Sequence, residues 1–209
     1  MKSKSVDPEP GVVRAPEDAM RITGGIHRSR LLRAPRGART RPTSDRVREA
    51  LFAIVGARRG LGGARVLDLY AGTGALALEA LSRGAARATL VESAKSALVA
   101  IAANVDALGM RSQARIIAST VERATRAIAE EAPFDLVLAD PPYALVATGE
   151  VGRALDRLAV AELLAEGALV VVEHASADRP PEMTRLGLEE SRRYGDTSLS
   201  LFAALAESP

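Results

Sequence analysis

The chain of 209 residues carries 47% hydrophobic and 26% charged side chains, a composition that supports one α/β domain of ordinary size with a small appendage and leaves no room for two. No apolar run approaches the roughly 20 residues of a membrane span, and the absence of cysteine excludes disulfides, thiolate zinc sites and a cysteine nucleophile. The net charge of +2 hides an asymmetry: residues 20–59 hold eleven arginines against Asp45 and Glu49, whereas the rest of the chain is net acidic. Arginine outnumbers lysine throughout, which explains the choice of base but not its clustering, and such a block is an electrostatic footprint for phosphates.

Residues 1–19 are rich in proline, serine and charge without apolar periodicity and are expected to be a disordered tail; they show no signal peptide. Residues 20–59 are expected to form a basic extension suited to phosphates: two strand-like pieces, Met20 to Ile26 and Ser29 to Ala34, joined at Gly24-Gly25 as a small hairpin, then a polar loop. Pro42-Thr43-Ser44-Asp45 offers capping residues, and Val47, Leu51, Ile54 and Val55 share one face of a helix from about Ser44 to Ala57.

From residue 60 to 209 strands and helices alternate. Strands are expected over Arg65–Tyr70, Ala88–Val91, Ala114–Ala118, Phe134–Ala139 and Ala168–Glu173, with helices over Ala75–Ser82, Ala94–Leu108, Val121–Glu131 and Gly149–Leu164. A closing hairpin pairs about Thr184–Ser191 with Ser198–Leu205 around Gly195-Asp196. The pattern predicts a doubly wound, mostly parallel seven-stranded sheet into which the hairpin puts one antiparallel strand.

In such a sheet ligands lie at the carboxyl ends of the strands. The first strand runs into the turn Tyr70-Ala71-Gly72-Thr73-Gly74, where glycines admit a close ligand, and Glu92 ends the second strand, placed to accept bonds from a ribose diol. Gly72-x-Gly74-x-x-Ala77 also satisfies a dinucleotide fingerprint. Asp68 before the turn, the final hairpin and the Asp140-Pro141-Pro142-Tyr143 turn after the fourth strand favour a cationic adenosine-containing ligand over NAD. That last turn joins acceptor oxygens to an aromatic face, the pairing that an exocyclic amine of a nucleobase requires; a solvent-exposed turn with a surface tyrosine is the plain alternative. His27 and His174 are too few and too scattered for a metal site or a triad, and no metal is expected.

The segments LDLYAGTGALALEAL, VES and ADPPY resemble the motifs of class I S-adenosylmethionine-dependent methyltransferases acting on exocyclic amines. The order MRITGGIHRSRLL, RPTSDRVREALF, LDLYAGTG, LSRGA and DPPY resembles, more narrowly, the RsmD family, which methylates N2 of a guanine in 16S ribosomal RNA. The resemblance spans roughly residues 20 to 205 and implies a Rossmann-like fold with S-adenosylmethionine as the methyl donor. It implies that Asp68, Gly72 and Gly74 cradle the methionine part with Tyr70 beside them, that Glu92 holds the ribose, and that Thr120 stands where Asp or Asn meets the adenine amine. Asp140, Pro141 and Tyr143 would hold the guanine as the catalytic set. Ala94 departs from the acidic or polar residue usual after the VES motif. Arg28, Arg30, Arg33, Arg39, Arg41, Arg46 and Arg48 are the expected RNA contacts, suited to phosphate rather than base stacking. A cytoplasmic monomer acting on 16S ribosomal RNA or a small-subunit assembly intermediate follows. Rival readings are an amino-methyltransferase on DNA adenine or cytosine, a non-catalytic RNA-binding protein of the same fold, and an NAD-dependent enzyme.

Overall fold

The computed structural model describes residues 20–34 and 44–205. Arg39 and Arg41, like the expected tail, lie outside the described residues. The first described segment folds back on itself: Ile22 N–H donates to Arg30 C=O at 2.9 Å, Ser29 N–H to Ile22 C=O at 2.8 Å and Leu32 N–H to Met20 C=O at 2.9 Å. The expected hairpin is thus a looped pair with one bridge, Arg21 to Leu31, rather than two regular strands. Helix α1 (Asp45–Arg58) starts where Ser44 accepts the Val47 N–H on its hydroxyl.

The core follows as β1 (Arg65–Leu69), α2 (Ala75–Ser82), β2 (Arg87–Glu92), α3 (Lys95–Ala107), β3 (Ala114–Ala118), α4 (Val121–Ala129), β4 (Phe134–Ala139), α5 (Tyr143–Ala147), α6 (Glu150–Val160), β5 (Leu164–Ala175), β6 (Leu186–Tyr194) and β7 (Thr197–Ala204). The seven strands run in the order β3-β2-β1-β4-β5-β7-β6. β7 is antiparallel to both its neighbours, while the first five strands are parallel. Strand order reverses between β1 and β4, so the crevice for a ligand opens above their carboxyl ends.

Strand alternation divides the interior in two. Val66, Leu90, Leu138, Val171 and Leu199 pack under α1, α2 and α3, whereas Leu67, Val91, Val137, Val172 and Phe202 pack under α4, α5 and α6. Every residue of α2 is buried, which its near-continuous apolar sequence allows, because the N-terminal segment covers the face that solvent would otherwise reach. The one carboxylate in that helix, Glu79, therefore lies in the core and needs partners. It accepts from Thr23 N–H at 2.7 Å, Thr23 Oγ1 at 2.8 Å and Arg83 Nε at 2.7 Å, with Arg48 Nε 3.7 Å away.

Most element bounds differ from the sequence expectation by one to three residues, and the larger differences fall between β4 and β5. The sixth helix ends at Val160, not Leu164, because Glu162 turns the chain at φ 54°. β5 then begins early and carries an irregularity around Gly167, at φ 66°, before regular pairing with β4 resumes at Leu169. The five-residue α5, which opens directly on Tyr143 behind Pro142, was not expected.

Candidate active site

The carboxyl ends of β1, β2, β4 and β5 open on one cavity of about 810 Å3, within the range of sites for small-molecule ligands. Its wall includes Asp68, Tyr70 and Gly72 from β1 and its turn, Glu92 from β2, Thr120 ahead of α4, and Asp140, Pro141, Pro142 and Tyr143 beyond β4. Residues far apart in sequence meet here because the parallel register sets Leu69 level with Val91 and with Ala139.

The turn after β1 is tight. Gly72 has φ 57° and Gly74 φ 78°, and a Cβ on Gly74 would come within 3.0 Å of Leu90. Gly74 caps α2 from behind and does not line the cavity, whereas Gly72 does. Glu92 braces this turn: Oε2 accepts the Gly72 N–H at 2.8 Å, and Oε1 accepts those of Ser93 and Ala94 at 2.7 and 2.8 Å. A carboxylate has about four lone-pair positions, so roughly one remains toward the cavity.

Asp68 is 1% exposed, accepts one bond from Ala77 N–H at 3.0 Å, and keeps Oδ1 without a hydrogen-bond partner. Burial pushes its pKa up to about 8, against the pull of the Ala77 bond, and the negative charges of Asp140 and Glu92 push the same way. An orphaned acceptor in an acidic cavity is a place for a cation. Tyr70, at φ 61°, has a buried hydroxyl that also lacks a partner. Burial, followed by Glu122 and Glu150, raises its pKa to about 12, so it remains a donor at neutral pH.

Sequence reasoning missed several cavity residues: Met20, Ser44 and Val47 from the N-terminal segment and α1, Glu122 and Glu150 from the α4 and α6 starts, and Glu173, Tyr194 and Thr197 from the closing strands. Of the expected RNA contacts, Arg28, Arg30, Arg33 and Arg46 are exposed. Arg48 is a correction. Its side chain is fully buried at the edge of the cavity, bonded to Arg21 C=O at 2.5 Å and to Asp45 at 2.6 Å, because its place on α1 points inward beside Val47, so it is no surface phosphate contact. His174 is structural, its ring bridging Ala175 C=O and Ser200 Oγ. Among the described residues no cluster of potential metal ligands occurs.

The family described as Conserved hypothetical protein 95 matches residues 20–203. The chain belongs to this family, the RsmD family. Among its relatives, Ribosomal RNA small subunit methyltransferase D of Escherichia coli strain K12 is 37% identical over 155 residues, covering 74% of each chain. YlbH of Bacillus subtilis is 31% identical over 185 residues, covering 88% of this chain and 98% of its own. The solved structure of the Escherichia coli protein YhhF superposes with a TM-score of 0.75 at 32% identity, covering 89% of this chain and 98% of that one. The RsmD-family match thus takes in the looped N-terminal segment and α1 as well as the sheet, and the methyltransferase fold expected from the motifs is the fold observed.

Proposed function

We propose that the protein transfers a methyl group from S-adenosylmethionine to the exocyclic N2 amine of a guanine in small-subunit ribosomal RNA. The observation that carries this reading is the shared cavity: a buried acidic pocket at Asp68 and Glu92 adjoins the Asp140-Pro141-Pro142-Tyr143 turn. The relative named Ribosomal RNA small subunit methyltransferase D supplies the class of acceptor.

The residues fit the donor. The partnerless Oδ1 of Asp68 suits its positive end, the spare lone pair of Glu92 suits one ribose hydroxyl, and Thr120 borders the region left for the adenine. S-adenosylmethionine supplies the methyl group activated on a positively charged sulfur. The chain's own task is positioning. Asp140 and the Pro141 carbonyl accept the two amine hydrogens, Tyr143 offers its ring to the extruded base, and the proton lost from the amine leaves through Asp140 or to solvent. Arg28, Arg30, Arg33 and Arg46 neutralise phosphates along the approach.

The test supplies donor with a tritiated methyl group to unmethylated small-subunit RNA and to assembled subunits, followed by digestion to nucleosides. N2-methylguanosine should carry the label with wild type, transfer should persist measurably in Asp140→Asn, and it should be lost in Asp140→Ala with donor affinity intact. Label in another nucleoside, or near-normal transfer by folded Asp140→Ala, refutes the reading.

A further inference from the structure

Guanine presents three hydrogens along the edge that bears its N2 amine: two on N2 and one on the ring nitrogen N1. Adenine and cytosine instead set an acceptor ring nitrogen beside their amines. If Asp140 and the Pro141 carbonyl take both amine hydrogens, that turn recognises an amine but not a guanine. N1–H requires an acceptor of its own, since a buried donor left unpaired opposes binding.

β5 brings a further carboxylate to the same cavity. Val172 is the register partner of Ala139, the last residue of β4, so Glu173 and Asp140 each come one residue further along on adjacent chains. Alternation returns Glu173 to the face of Val171 and Leu138, the side covered by α1 and α2, and it lines the cavity with Asp140, Pro141 and Tyr143. Glu173 is 5% exposed and ends the run Val170-Val171-Val172. Its strand is fixed in place: Glu173 pairs with Leu199 of β7, and the neighbouring His174 is held at both ring nitrogens.

We infer that Glu173 determines the choice of base by accepting the N1–H of guanine while Asp140 and Pro141 hold the amine. The inference rests on the guanine-N2 reading above. In its ionised form a carboxylate only accepts, so an adenine N1 or a cytosine N3 would then face it lone pair to lone pair. A site built to bond a particular hydrogen rejects analogues lacking it far more strongly than a shape-fitting pocket does.

The experiment first locates the labelled nucleotide with wild type, then compares synthetic RNA carrying guanine or 2-aminopurine there. The latter keeps the amine but has an acceptor at N1. Wild type should prefer guanine by at least about 100-fold in single-turnover rate. Glu173→Gln, which can donate to an acceptor nitrogen, should lower the guanine rate and bring the preference below about tenfold, with donor affinity unchanged. Glu173→Asp keeps the charge and should keep the preference at a reduced rate. A purely structural role would slow both acceptors equally. If wild type labels guanine N2 but accepts 2-aminopurine equally well, or if folded Glu173→Gln retains the full preference, the role of Glu173 is overturned while the guanine-N2 reading stands. If wild type labels another nucleoside, both fall. Where Glu173→Gln fails to fold, equal use of the two acceptors by wild type still overturns the role.

Discussion

Replacing Asp68 with Asn tests the charge stored beneath the glycine turn. Its carboxyl titrates near 8 in the folded protein, chiefly because of burial, against an ordinary value of 3.8. Folding therefore takes up a proton between about pH 4 and pH 8, and the contribution of this group to ligand-free stability declines as pH rises through that window. A cationic donor needs the ionised form, so binding at pH 7 must first remove the proton, at a cost of about 1.4 kcal/mol for the one-unit difference. Such binding should release about 0.9 proton at pH 7, and affinity should rise about fiftyfold between pH 6 and pH 8 before levelling. Calorimetry with S-adenosylmethionine in buffers of different ionisation heats measures both quantities. Asp68→Asn should abolish the pH dependence and bind more weakly, yet melt no lower than wild type at pH 8, where the native charge is most costly. Flat affinity from pH 6 to 8 in wild type, with no proton release, would refute the placement of a cation against Asp68.

Glu92→Ala should weaken donor binding by about 1 to 3 kcal/mol by calorimetry and loosen the turn it braces at Gly72, while the fold persists. Replacing Arg28, Arg30 and Arg33 together with Ala should flatten the slope of log RNA affinity against log salt by about 2, from roughly 0.7 per phosphate on single-stranded RNA, with donor affinity unchanged. Glu79→Ala removes the buried acceptor of Thr23 and Arg83 and the nearby countercharge of Arg48, and should lower stability by about 3 to 5 kcal/mol in denaturant unfolding.

The sheet was legible where apolar runs end in punctuation. α2, β3 and β4 have the bounds expected from their sequences, each set off by glycine, proline or a polar residue. The α6 to β5 passage was not legible, because the alanine- and leucine-rich stretch after Leu158 suits helix or strand, and its break falls on Glu162 rather than on a glycine. α5 is too short for a periodic signal to emerge. In the site, Asp68, Glu92 and Asp140 were legible as acids closing apolar strands. Glu173 closes Val170-Val171-Val172 in the same manner, so the rule that found the other three reaches it too. Arg48 was misread because clustered arginines suggest surface. It lies three residues before Leu51 and seven before Val55, on the buried face of α1, and helical phase rather than charge decides its position.

The same phase argument bears on how the basic segment would work. Its described part is fastened to the helices that frame the glycine turn. Ser82 of α2 donates to Gly24 C=O at 2.7 Å, accepts His27 N–H on its hydroxyl at 2.9 Å and accepts Ile26 N–H on its carbonyl at 2.9 Å. Asn104 of α3 accepts Arg33 N–H at 2.7 Å and donates to Arg33 C=O at 3.1 Å and Thr73 C=O at 3.0 Å, so one side chain joins the arginine-bearing strip to the glycine turn. Arg33 is thus held at a fixed offset from the cavity. A phosphate bound there would set the position of a base near Asp140, and in a reaction that depends on positioning, an angstrom of slack is costly. Under the proposed function, charge in this segment would contribute affinity, and its attachment through Ser82, Glu79 and Asn104 would turn that affinity into register.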